Sequence, residues 1–161
     1  MQNSGPVLIN QRMLNELVEE ARSLPRKRKH RNFHAADDAA CHRLIIAIEP
    51  GSYIPPHCHA ASSKDETITI MQGRIGMVFF DALGKVSGTT ILQAGGETLG
   101  VTIPHGMMHS LVSLQSGSVF FEAKAGPYQP PSEAERANWA PLENTAEAPT
   151  YLAQLEALFS R

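Results

Sequence analysis

The sequence predicts a mainly β chain, a sandwich or barrel with one helix at each end. Two observations carry this: short runs rich in β-branched and aromatic residues separated by turn signals between residues 42 and 124, and an amphipathic run on either side of them. In residues 10–24, NQRMLNELVEEARSL, the residues Met13, Leu14, Leu17, Val18 and Ala21 recur at helical spacing and Pro25 stops the pattern. Next comes RKRKHRNFH, where Arg26, Lys27, Arg28, Lys29 and Arg31 read as a solvated connector leading into a short edge strand at Asn32–His34. Strands are expected near 42–48, 66–72, 74–80, 85–92, 98–103, 109–115 and 118–124. The turns between them fall at EPGS, QG, DALG, AGG, PHG and QSG, where Gly, Pro and Asp supply the backbone geometry. Many short strands imply a closed or two-layered β architecture. Beyond it, AGPYQPP is too rich in proline for a central strand, and PTYLAQLEALFSR carries Tyr151, Leu152, Leu155, Leu158 and Phe159 as one helical stripe.

The 161 residues suit one domain spanning 1–161: helix and basic segment in 1–31, β core in 32–124, helical extension in 125–161. With 42% apolar and 19% charged residues and a net charge of −2, the composition argues against disorder and against general attraction to nucleic acid. The opening MQNSGPVLIN lacks a basic region followed by an apolar core. No later stretch supplies the roughly 18 uninterrupted apolar residues of a membrane span, so a cytoplasmic location is expected. Cys41 and Cys58 are expected as reduced thiols.

Chemistry concentrates in PGSYIPPHCHAASSKDETITIMQG, residues 50–73. In extended chain alternate side chains share a face, so His57 and His59 project together while Cys58 turns away. Two neutral imidazoles aimed at one point suggest a metal, although a histidine pair can also end an ordinary strand. The order Gly51, His57, His59, Glu66, Gly73 resembles the first metal-binding motif of the cupin superfamily, and Pro104, Gly106 and His109 resemble the second. The resemblance implies a jelly-roll fold and a metal held by His57, His59, Glu66 and His109. A longer gap than usual, Ala60 to Asp65, precedes Glu66, so the sequence leaves open whether that carboxylate reaches the metal. Thr98 and Ser113 replace the second motif's leading Gly and trailing Asn.

Similarity extends further, through EPGSYIPPHCH, KDETITIMQGRIGMVFFDALG, FEAKAGPY and NWAP, to the WbuC-type cupin fold metalloproteins. That resemblance implies an association with bacterial polysaccharide gene clusters and no settled reaction. Three imidazoles and a carboxylate suit a divalent first-row metal, with Zn, Ni, Fe, Mn and Co all open.

Around that metal, Asn32 and His34 share strand parity and are expected at the barrel mouth. Arg31, Arg43 and Lys124 are candidates for an anionic small-molecule ligand, and His34 and Tyr53 for proton transfer. Tyr128 is a further phenol, His105 is expected exposed in its turn, and His30 and His42 have no supporting pattern. The functional expectation is a metalloenzyme of isomerase, epimerase or oxygenase type, with a non-catalytic metal-dependent binding protein as the alternative. Pairing through sheet edges makes a homodimer the expected assembly, with no membrane or nucleic-acid partner.

Overall fold

A computed structural model describes residues 5–160 of the chain. The helix α1 (Gln11–Ser23) begins where Asn10 accepts a hydrogen bond from the Met13 N–H at 3.0 Å. The strands are β1 (Arg28–Asn32), β2 (Cys41–Ile48), β3 (Glu66–Gln72), β4 (Arg74–Phe80), β5 (Val86–Gln93), β6 (Gly100–Ile103), β7 (His109–Ser113) and β8 (Ser118–Ala125). A 3-10 turn at Glu133–Glu135 and the helix α2 (Ala148–Ala157) complete the chain. Among the described residues no helix is long and apolar enough to cross a membrane.

One sheet runs β1-β2-β8-β3-β6 and the other β5-β4-β7, with every pairing antiparallel. Their inner faces meet in a core of Ile48, Ile68, Ile70 and Phe120 against Ile75, Met77, Leu92 and Leu111, a two-layered β jelly roll. The outer face of β2 and β8 is closed by α1, whose Leu14, Leu17, Val18 and Ala21 pack on Ile45, Ala47 and Val119. Strand alternation then leaves His42, Leu44 and Ile46 on the inner side of β2, and Glu122 and Lys124 on the inner side of β8.

The basic segment is not a connector. Arg28 to Asn32 form the edge strand β1, paired with β2 from Arg28 opposite Ile48 to Asn32 opposite Leu44, and the strand ends before Phe33 and His34. Carboxylates on neighbouring elements make this possible: Lys29 and Arg31 reach Glu20 on α1 at 3.4 and 3.2 Å. Charged side chains also blunt an exposed sheet edge. At the β3–β4 turn, Gly73 sits at φ +76° against the Ser118 backbone, where a side chain would collide.

Candidate metal centre

The prolines before His57 hold the chain extended outside any strand, and it pairs briefly with β7. His57 N–H donates to the His109 carbonyl at 3.0 Å and His109 N–H donates to the His57 carbonyl at 2.9 Å. The Gly106 N–H then donates to the His59 carbonyl at 2.8 Å. These backbone bonds bring residues from distant parts of the sequence to one spot. Alternation sends Cys58 the other way, with its sulfur 3.8 Å from the Ala134 carbonyl. Glu66 opens β3 between Ile103 of β6 and Lys124 of β8.

The result is a cluster of His57, His59, Glu66 and His109 with one donor atom from each, all within 4.8 Å of one another. Hydrogen bonding selects the tautomers. Nδ1–H of His57 donates to the Pro55 carbonyl at 3.0 Å and Nδ1–H of His109 to the Met107 carbonyl at 2.9 Å, leaving each Nε2 as a lone pair. The Nε2 of His109 nevertheless lies 3.0 Å from Glu66 Oε2, and the Nε2 of His59 is 3.5 Å from Oε1. Nε2 of His59 is buried with no hydrogen-bond partner. Lone pairs turned toward a carboxylate repel unless a proton or cation lies between them. A proton relieves one such contact, whereas a divalent ion relieves all of them. Ligand bonds of about 2.0–2.2 Å put adjacent donors on an ion about 3 Å apart, which the His109–Glu66 separation meets. The donor set therefore fits a divalent ion.

The local electrostatics agree. Burial, and then the neighbouring His109, push the His57 imidazole down to about 4, so it is neutral at pH 7. Burial works to raise the Glu66 carboxyl, but His109, His59 and Lys124 together hold it well below the usual carboxylate range. The Lys124 ammonium donates to Glu66 Oε1 at 3.1 Å and to Glu122 Oε1 at 2.6 Å. Burial and the adjacent Glu66 push the Glu122 carboxyl up to about 7.

Asp65, the neighbouring carboxylate, serves elsewhere: its Oδ1 accepts from the His105 backbone N–H and meets His105 Nδ1, both at 2.9 Å. The residues between His59 and Glu66 turn at Ala61–Ser63, and β3 then starts with Glu66 directed inward. His105 is exposed, capped by this contact. Ser113 is buried, and its single O–H is shared between the carbonyls of Ile48 and Gln115.

His57 and His59 face a cavity of about 200 Å³. A second cavity of about 420 Å³ lies beneath β1 and shares His42, Lys124 and Tyr128 with the first. Asn32 and His34 line the larger one, where the His34 ring stacks on His42 with centroids 4.0 Å apart.

Three residues expected around the metal line neither cavity. Tyr53 is buried under α2 with Leu152 and Leu155, donates its hydroxyl to the Pro141 carbonyl at 2.8 Å, and lines neither cavity. Arg31 is turned to Glu20 and lines neither cavity. Arg43 is exposed, reaches the Phe33 carbonyl at 3.4 Å and also lines neither. In their place the structure brings His30, His42 and Glu122 to the larger cavity. The parity of His42 with the buried Ile48 was a usable signal, but the pairing of His42 with Lys124 across β2 and β8 was not.

Residues 9–92 match the family described as Domain of unknown function (DUF6016). The chain belongs to this family. The DUF6016 match runs from the N-cap region of α1 into β5, and so contains His57, His59 and Glu66 and stops short of His109. No curated protein matches the chain. Among solved structures, the conserved SPY1581 protein of unknown function from Streptococcus pyogenes is 13% identical, with 80% of this chain and 96% of that one covered and a TM-score of 0.54. KdgF from Halomonas sp. is 18% identical, covering 66% and 85% at a TM-score of 0.50. A cupin-2 domain containing protein from Shewanella frigidimarina is 20% identical over 61% and 80% at a TM-score of 0.45. The first two show a shared fold.

Proposed function

We propose that this DUF6016 protein is a metal-dependent enzyme acting on a small anionic or sugar-derived molecule, built as one cupin domain over residues 1–161, of which 1–4 and 161 lie outside the described residues. The observation that carries the reading is the inward cluster of His57, His59, Glu66 and His109, in which the buried His59 Nε2 has no protein partner. In this reading those four residues hold a divalent first-row ion, Zn, Ni, Fe, Mn or Co. Bound there, the ion would supply Lewis acidity toward a carbonyl or a water.

The chain's own residues do the rest. The carbonyls of Pro55 and Met107 fix the ring tautomers, and Lys124 steadies the Glu66 carboxylate. His34, which shares the wall of the larger cavity with His30 and His42, is the residue proposed to exchange a proton with a ligand there. Isomerisation or epimerisation of a sugar derivative is the reaction class this arrangement suits, with oxygenation as its redox counterpart. The WbuC-type resemblance supports a role in bacterial polysaccharide metabolism in the cytoplasm. The edges at β5 and β6 are the strands through which a homodimer would pair, and sedimentation velocity reads that state directly.

Binding without turnover is the second reading, and it is favoured by one observation: the Tyr53 hydroxyl is committed to Pro141, leaving His34 as the one proton carrier of the original pair beside a cavity. Proton NMR in D2O of the metal-loaded protein with sugar acids and sugar phosphates separates the two. Exchange or conversion that a His57→Ala, His59→Ala variant loses supports the enzyme. Saturable binding with unchanged ligand supports the binding protein.

A further inference from the structure

The cations nearest the centre differ in whether they are free to meet a ligand. Arg26 and Arg28 both bond Glu143, at 2.8 and 2.9 Å, and Arg28 also donates to Ser52 Oγ and the Tyr53 carbonyl. Lys29 and Arg31 are held by Glu20. The basic segment is thus partly neutralised, with Glu143 and Glu20 each holding two of its cations, and Arg26, Arg28 and Lys29 line the larger cavity.

Two lysines, Lys64 and Lys124, line the histidine-lined cavity. Lys124 carries three N–H donors, of which Glu66 and Glu122 take two. Lys64 gives one N–H to the Pro127 carbonyl at 2.9 Å and has no carboxylate partner among the described residues. The carboxylate on the same wall, Glu135, spends its oxygens on the Ala60 N–H, the Ser132 N–H and the Ser132 hydroxyl. Its charge stays beside the cavity and offsets part of the lysines' field, which favours a ligand group of single negative charge.

The larger cavity offers something different. Its Arg26 and Arg28 share Glu143, its Lys29 shares Glu20 with Arg31, and Asp37 adds a carboxylate, while Asn32, His30, His34 and the exposed Tyr128 supply amide, imidazole and phenol groups. Leu44, Ile46 and Ile54 supply an apolar side. Hydrogen-bonding groups set beside one apolar surface suit a polyhydroxylated ring or chain, which has polar edges and an apolar face. The cavity volume of about 420 Å³ falls within the usual range for small-molecule sites, about 300–1,000 Å³.

We propose that the two cavities form one site for a monocarboxylic polyhydroxy acid of sugar size, with its carboxylate among Lys64, Lys124 and the metal cluster and its hydroxylated body against Asn32 and His34. The inference rests on the metal-site reading and adds the ligand class, its orientation and the residues that read each end.

Isothermal titration of the metal-loaded protein tests it, with elemental analysis of every sample. The probes are D-glucuronate, D-galacturonate and D-gluconate against acetate, D-glucose and glucose 6-phosphate. At least one polyhydroxy acid should bind about tenfold or more tighter than acetate, and D-glucose should bind more weakly than that acid. Lys64→Met, at the cavity rim, should weaken the bound acid by about tenfold or more, the scale of one charge-assisted hydrogen bond. Asn32→Ala with His34→Ala should bring that acid's affinity toward acetate's while leaving acetate unchanged. Equal binding of the acids and acetate, tighter binding of glucose 6-phosphate than of every acid, or no response to these variants would overturn the proposal. If metal is retained and acetate binds, that failure leaves the metal-site reading standing. If no metal is retained, both fall.

Discussion

Glu66→Gln is the substitution that isolates the carboxylate of the cluster. The amide keeps the volume and can still accept from Lys124, so the metal-free protein should fold, but the charge that meets His109 at 3.0 Å and His59 at 3.5 Å is gone. With free metal at about 100 times Kd, binding stabilises the wild type by about 2.7 kcal/mol. A chain of this size shifts by roughly 2–4 °C per kcal/mol, so metal should raise Tm by about 5–11 °C. Changes outside the ligand shell already cost about 10–100-fold in metal affinity, so losing a ligand should cost at least roughly 100-fold. At the same metal concentration the benefit then falls to about 0.4 kcal/mol, or about 1 °C. Asp65→Ala is the control: its carboxylate is exposed and bonded to His105, so it should lower Tm slightly while keeping the whole metal-dependent rise. Differential scanning calorimetry with and without metal reads both. A full metal response in Glu66→Gln, or a response lost in Asp65→Ala, would refute the reasoning and move the ligand.

Tyr53→Phe removes the hydroxyl bonded to Pro141 and should cost about 0.5–1.5 kcal/mol in urea unfolding while metal content stays at the wild-type level. A fall in metal content would return Tyr53 to the site. Burial works to raise the Glu143 carboxyl, but Arg26 and Arg28 hold it below the ordinary value of 4.5. A depressed native value means that this contribution is full above the unfolded value and is lost as pH falls through the native one. Glu143→Gln should therefore be less stable than wild type at pH 7, with the gap closing in acid below about pH 4.5. A gap that stays constant down to pH 3 would contradict the role given to the two arginines.

The elements were legible where periodicity and turn chemistry agreed. Leu14, Leu17, Val18 and Ala21 at helical spacing define α1, and the QG turn at Gly73 separates β3 from β4. The strand β1 was hidden because its residues, Arg28 to Asn32, are charged or polar and carry no apolar alternation. Its order comes from pairing with β2, from Glu20 on the preceding helix and from Glu143 far away in sequence. That His57 and His59 share a face was readable from alternation, since extended chain fixes the faces of neighbours, and their reading as ligands needed the second motif around His109. Whether Glu66 reaches the other three residues was not readable, because the register of β3 decides it. The same limit applies to Arg31, Arg43 and Tyr53, whose direction depends on α1, the sheet edge and the C-terminal extension. Lys124 joins Glu66 only because β3 and β8 lie side by side.

The central claim is that His57, His59, Glu66 and His109 hold a metal, and elemental analysis of the purified protein beside a His57→Ala, His59→Ala variant tests it most directly. The wild type should carry about one divalent first-row ion per chain and the variant far less, both folded by circular dichroism. Equal metal content in the two proteins would contradict the account.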